Sequence, residues 1–96
     1  NVETFWSVER ILHQGAAWFN ALGTKHSSGT RLLSISGDCA SPGIYEYPFG
    51  VTLNEILQDC GALNPQAVQM AGAAGTTVLR KDFERQLSYE DLATGG

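Results

Sequence analysis

The stretch RLLSISGDCASPGIYEYPFGVTLNEILQDCG, residues 31–61, changes its hydrophobic period once, and that change decides the fold. From Arg31 the period is two: Leu33 and Ile35 face one way, Leu32, Ser34 and Ser36 the other, as in a strand. Asp38 to Gly43 carry turn chemistry. Pro42 drives Ser41 toward an extended conformation, and Gly43 is free to take positive φ. A second strand is expected from Ile44 to Phe49, closing a hairpin, with Tyr45, Tyr47 and Phe49 on one face and Pro48 marking an edge or an end. Then the period lengthens. Thr52 and Glu55 have capping-box spacing, Val51 can staple onto Ile56, and Leu53, Ile56, Leu57 and Cys60 stand at i, i+3, i+4 and i+7 before the helix-stopping Gly61. Cys60 is therefore expected in the core.

Downstream the elements shorten. Ala67 to Ala71 reads as a third strand, Gly72 to Gly75 as a turn, Thr76 to Leu79 as another short strand, Lys81 to Arg85 as one helical turn, and Gln86 to Tyr89 as a further pairing segment. Strand, turn, strand, helix and then short strands is the order of a β-grasp, a ubiquitin-like fold of the α+β class. Upstream, Thr4 to Leu22 has helical period. Phe5, Val8, Ile11, Leu12, Ala16, Trp18, Phe19 and Leu22 share an arc of about 160°, opposite Glu9, Arg10, His13 and Asn20, so one broad buried face is expected. Asn1 or Thr4 can cap this amphipathic helix, Gly15 would admit a close neighbour, and Gly23 would stop it. Trp6 falls off the arc. It is either an exposed interface residue or is covered by the loop before the first strand. Thr24 to Gly29 reads as a polar linker without pattern.

With 96 residues the chain permits one domain, and six Lys+Arg against ten Asp+Glu give a formal charge of −4. The few cations, spread from Arg10 to Arg85, make no stripe for phosphate backbones, which argues against nucleic acid. No apolar run reaches the roughly 18 residues of a membrane span. Starting at Asn1 and stopping at Gly95-Gly96, the sequence reads as part of something longer. Cys39 and Cys60, with 20 residues between them, fit no zinc, redox or iron–sulfur spacing, and two free thiols are favoured over a disulfide.

The residues offer little chemistry. Ser36-Gly37-Asp38 lacks a nucleophile elbow, and His13 and His26 lack orienting neighbours. Glu84, Glu90 and Asp91 read as a solvated acidic face, and Gly72-Ala73-Ala74-Gly75 lacks the third glycine and long helix of a dinucleotide fingerprint. Taken alone, the residues describe a small binding or interaction domain.

The run from Ser34 to Gly61, with Gly-Asp-Cys at 37–39 and Ile-Tyr-Glu-Tyr-Pro-Phe-Gly at 44–50, is similar to the soluble-ligand-binding β-grasp (SLBB) domain. It resembles the version inside the NADH-oxidising, FMN-binding flavoprotein subunit of respiratory complex I and its relatives, and the Gly-Asp-Cys and Ile-Tyr-Glu-Tyr-Pro-Phe-Gly forms look closer to those relatives than to complex I itself. The diaphorase subunits of NAD-reducing hydrogenases and NAD-dependent formate dehydrogenases carry related forms. Asn1-Val2-Glu3-Thr4 and the helix carrying Gly15-Ala16-Ala17-Trp18-Phe19 resemble the connector that precedes this domain. The resemblance implies a connector helix over residues 1–24 and an SLBB domain over residues 30–94. It implies a parent oxidoreductase, an NADH dehydrogenase or diaphorase, that uses NAD as substrate, FMN, and a 4Fe-4S cluster in electron transport. It places no catalytic residue and no metal ligand in this segment, and neither Cys39 nor Cys60 matches a cluster ligand. Asn1 and, more weakly, Thr4 become candidate FMN contacts in the intact subunit, with an ordinary helix cap as the competing reading. The implied partners are the flavin and iron–sulfur domains and other subunits of an electron-transfer complex, in the cytoplasm or peripheral at the inner membrane.

Two functions follow. The first is a non-catalytic bridge between flavin and iron–sulfur domains, with Trp6 at an interface. The alternative is a small soluble-ligand-binding module using Tyr45, Tyr47 and Phe49 as an aromatic shelf, although aromatics at period two more often face a core.

Overall fold

The computed structural model describes residues 1–92. The carboxyl-terminal end of the expected 30–94 domain, and Gly95-Gly96, lie outside them. Helix α1 spans Val2–Gln14 and α2 spans Ala16–Asn20; strands β1, Thr30–Ile35, and β2, Gly43–Pro48, follow. Then come helix α3, Leu53–Asp59, strands β3, Ala67–Gln69, and β4, Thr77–Leu79, and a 3₁₀ turn, Arg80–Asp82. The class is α+β, as expected. The four strands form two antiparallel two-stranded sheets, β1–β2 and β3–β4, rather than one sheet. Gln86 to Leu92 return as isolated bridges, Thr52 to Gln86 and Leu87 to Leu92.

The centre is α3. Both arms of the capping box form: the Thr52 side chain accepts from Glu55 N and the Glu55 carboxylate accepts from Thr52 N, each at 3.2 Å. This satisfies donors that a helix start would leave open. Its buried face, Leu53 and Ile56, packs with Val51, Val78, Phe83, Leu87 and Leu92 into one cluster, flanked by Leu33, Ile35 and Tyr47 from the hairpin. Backbone bonds hold the far segment against α3: Gly50 N to Leu87 O at 2.9 Å, Leu87 N to Val51 O at 2.8 Å and Asn54 N to Phe83 O at 2.9 Å. Gly61 takes φ +73° and stops the helix, as its position after Cys60 predicts.

Three expectations need correction. The single helix over Thr4–Leu22 is broken at Gly15, whose φ of +92° only glycine adopts cheaply, and a Cβ there would meet nothing within 4 Å. The glycine serves a backbone break, not a close neighbour. The broad apolar face of α1 is not buried: Phe5 is 77 % and Leu12 82 % exposed, and no residue of α1 is buried. Finally, the segment Thr24 to Gly29 is not patternless. The Glu90 carboxylate accepts from the Thr24 hydroxyl and from His26 N, Thr24 Oγ1 accepts from Ser27 N at 3.1 Å, and Ser27 Oγ accepts from Tyr89 N at 2.7 Å. Glu90 therefore organises a loop rather than lying on a merely solvated face.

Candidate functional site

Asn1 caps α1. Its Oδ1 accepts from Thr4 N at 2.9 Å, which fulfils the capping expectation and leaves that oxygen one further lone pair. Thr4 contributes its backbone N–H to this cap, and both residues are exposed. The Asn1 amide group and the Thr4 hydroxyl remain to offer another molecule. An amide and a hydroxyl on an open helix start do not build a flavin pocket, so these residues by themselves do not hold FMN. A four-iron cluster needs ligands this chain does not carry, because it has two cysteines where four thiolates are usual.

α1 lies beside the edge of β1 through its Glu3 and Trp6 side. Glu3 Oε2 accepts from Leu32 N at 3.0 Å, and Glu3 Oε1 stands 3.9 Å from the Arg31 guanidinium. The carboxylate thus satisfies one of the backbone donors that an edge strand leaves open. Trp6 is 56 % exposed, with the Arg10 guanidinium 5.9 Å from its ring centroid. It borders a cleft of about 390 Å³ with Val2, Thr30, Leu32 and Glu46. The ring is exposed, and β1 rather than the preceding loop flanks it. The side of α1 nearest the body carries Glu3, Trp6 and Arg10, while Phe5, Val8 and Leu12 point away from it as an uncovered apolar stripe.

The second half of the helical arm is anchored. Phe19 packs on Gly29, where a Cβ would come within 2.3 Å of the ring, and Gly29 N donates to Leu22 O at 2.9 Å. Asn20 Oδ1 accepts from the Ser28 hydroxyl at 2.9 Å. The stripe on α1 is therefore carried on an arm fixed at its far end.

Tyr45, Tyr47 and Phe49 are half-buried. The two tyrosine rings stack, with centroids 6.2 Å apart and planes 6° from parallel, and their hydroxyls donate to Ser41 O at 2.6 Å and to Asp59 Oδ2 at 2.7 Å. Burial, and then Asp59, push the Tyr47 phenol well above its ordinary range, so it keeps its proton and its bond to the carboxylate. Tyr47 packs against the core, as three aromatics at period two more often do. Tyr47 and Phe49 also border an open groove of about 730 Å³ with Glu55, Gln58 and Asp59.

Sequence reasoning misses Glu3 and Glu90. The bond from Glu90 to His26 spans 64 residues, and that from Glu3 to Leu32 spans 29. No local spacing announces either.

No family model matches the chain. Among curated proteins it is 57 % identical over 97 residues to the NAD-reducing hydrogenase HoxS subunit alpha of Cupriavidus necator, covering all of this chain and 16 % of that protein. It is 45 % identical over 100 residues to a subunit of the NADH-quinone oxidoreductase of Streptomyces coelicolor, again over the whole chain and 22 % of the relative. Among solved structures, the NAD⁺-reducing [NiFe]-hydrogenase in its air-oxidized state superimposes with a TM-score of 0.89 at 43 % identity. That match covers 96 % of this chain and 17 % of the hydrogenase chain. The chain thus spans less than a quarter of the length of these relatives.

Proposed function

We propose that this chain, homologous along its whole length to one segment of the NAD-reducing hydrogenase alpha subunit and of its NADH-quinone oxidoreductase counterpart, is a non-catalytic bridging domain of such a protein. The observation that carries this reading is the stripe Phe5, Val8 and Leu12, open to solvent on an arm that Glu3, Phe19 and Gly29 hold in place. Apolar area arranged so is the signature of a surface that another body covers. The arm, residues 1–24, serves as the connector, and the domain from residue 30 onward holds the flavin-bearing and iron–sulfur-bearing parts of the same polypeptide at a fixed separation. NADH oxidation, FMN and the cluster belong to those parts. Asn1, with Thr4 behind it, contributes an amide contact at the rim of the flavin site through the N–H groups its cap leaves free. The chain's partners are the flavin and iron–sulfur parts of the same polypeptide and other subunits of an electron-transfer complex; among the described residues no helix is long and apolar enough to cross a membrane.

The test is a replacement. With this chain in place of the matching segment of the Cupriavidus necator alpha subunit, the chimera is expected to retain NADH-dependent dye reduction. Joint Phe5→Asp and Leu12→Asp substitution should abolish it while leaving the isolated chain folded by circular dichroism. A doubly substituted chimera with full activity would refute the bridge. Titrating the isolated chain with FMN, NADH and cobalamin, followed by Trp6 and Trp18 fluorescence, should give no saturable response below about 100 μM, a free energy near −5.5 kcal/mol. Saturation by any of them would favour the ligand-binding module.

A further inference from the structure

Cys60 closes α3 in a helical conformation, φ −84° and ψ −1°, and is 1 % exposed. The turn between β1 and β2 comes back against this corner. Ala40 N donates to Gly61 O at 3.1 Å, Ser41 N donates to Cys60 O at 2.9 Å, and Cys39 pairs with Ala62 in an antiparallel bridge. A Cβ on Gly61 would sit 2.9 Å from the Ala40 Cβ, so the missing side chain is what lets the two backbones approach. Cys39 and Cys60 thereby stand diagonally across a short paired segment, with the Cys39 thiol near enough to act directly on the Cys60 thiol. Both line the cavity of about 700 Å³ between the hairpin, the end of α3 and β3.

We propose that Cys39 and Cys60 are a modification site, a dithiol that closes reversibly to an intramolecular disulfide by exchange with a small-molecule disulfide such as oxidised glutathione. Cys39 is partly exposed and attacks first. Its thiolate forms a bond to one glutathione sulfur, the S–S bond of the oxidant breaks, and one glutathione leaves as thiolate. Cys60 then loses its proton and attacks Cys39 Sγ, releasing the second glutathione. Two protein thiols are oxidised, one disulfide is reduced to two thiols, and the two protons pass through solvent to the leaving sulfurs. The second step is gated. Burial, and then the adjacent Cys39, hold the Cys60 thiol above its ordinary range, so ring closure accelerates as pH rises above neutral. Closure ties the hairpin turn to the end of α3 and restricts the unfolded chain, which raises the melting temperature.

The test exposes the folded, reduced chain to oxidised glutathione, quenches with acid and reads the intact mass. The expected product is lighter by two hydrogens and carries no glutathione, forms faster at higher pH, and melts higher than the reduced chain. Cys60→Ser should stop with one glutathione on Cys39. Should that variant fail to fold, Cys39→Ser gives the complementary reading, with Cys60 buried and unmodified under the same exposure. A wild-type product with two glutathiones, with one persistent glutathione, or with no change of mass would overturn the proposal.

Discussion

Helices α1 and α3 carry the same sequence signal and meet opposite fates. Both are amphipathic and both are capped as their sequences predict, Asn1 on one and Thr52 with Glu55 on the other. Yet Ile56 of α3 is 5 % exposed while Leu12 of α1 is 82 % exposed. Helical period states that a face gains by burial, and it is silent on where the cover lies. For α3 the cover is in this chain, because Val51, Val78, Phe83 and Leu87 are brought round it by the bonds from Gly50, Leu87 and Asn54. For α1 the described residues offer only the Glu3 and Trp6 side a neighbour.

The sharpest way to break this contrast is by truncation of matched leucines. Leu87→Ala, at a position only 1 % exposed, should cost about 3 kcal/mol in urea denaturation, transfer and cavity terms together. Leu12→Ala should stay within about 0.5 kcal/mol, as exposed positions do. If Leu12→Ala costs as much as a core truncation, α1 is covered in solution by another molecule, and the midpoint should then depend on protein concentration. Removing the caps tests the same difference more gently. Thr52→Ala should cost about 1 kcal/mol, because α3 cannot fray without opening the core. Asn1→Ala should lower helical circular dichroism and leave the cooperative midpoint nearly unchanged, since α1 can unwind on its own.

The parts of the fold legible in sequence are those whose signals are local. The capping box, the staple of Val51 on Ile56 and the Gly61 stop all lie close together along the chain, and the β1–β2 register, Leu33 opposite Tyr45 and Arg31 opposite Tyr47, follows from period two around one turn. The same period is ambiguous at β3, where the strand of the expected Ala67–Ala71 ends at Gln69, Met70 adds one more backbone bond to Thr76 O at 2.8 Å, and Ala71 at φ +60° has already left for the turn. Gly15 shows another limit: its place on the apolar arc suggests packing, whereas positive φ is what it supplies. Of the candidate site, the exposure of Trp6 and the capping role of Asn1 are legible from helix geometry. What Trp6 faces is not, because β1 arrives from a distant part of the chain.

The smallest expected effect concerns the join between the two regions. Glu90 is held below the usual carboxylate range first by the Thr24 hydroxyl, and Asp91 first by the backbone N–H of Gln86 and then by Arg85 at 2.8 Å. A carboxylate whose folded value is depressed contributes stability that is present above its unfolded value, about 4.3 for Glu and 3.9 for Asp, and is lost as pH falls through the folded value. The midpoint should therefore be flat above about pH 5 and decline below about pH 4. Glu90→Gln and Asp91→Asn should each shallow that decline, by little, because Glu90 is solvent-exposed and Asp91 partly so, and both are screened. The two variants should part in amide hydrogen exchange. Glu90→Gln should hasten exchange at His26 and Ser27, whose loop Glu90 organises, and leave the α3 amides protected. If α3 loosens equally, the arm and the core form one cooperative unit, and the exposed stripe on α1 is as firmly placed as the core is.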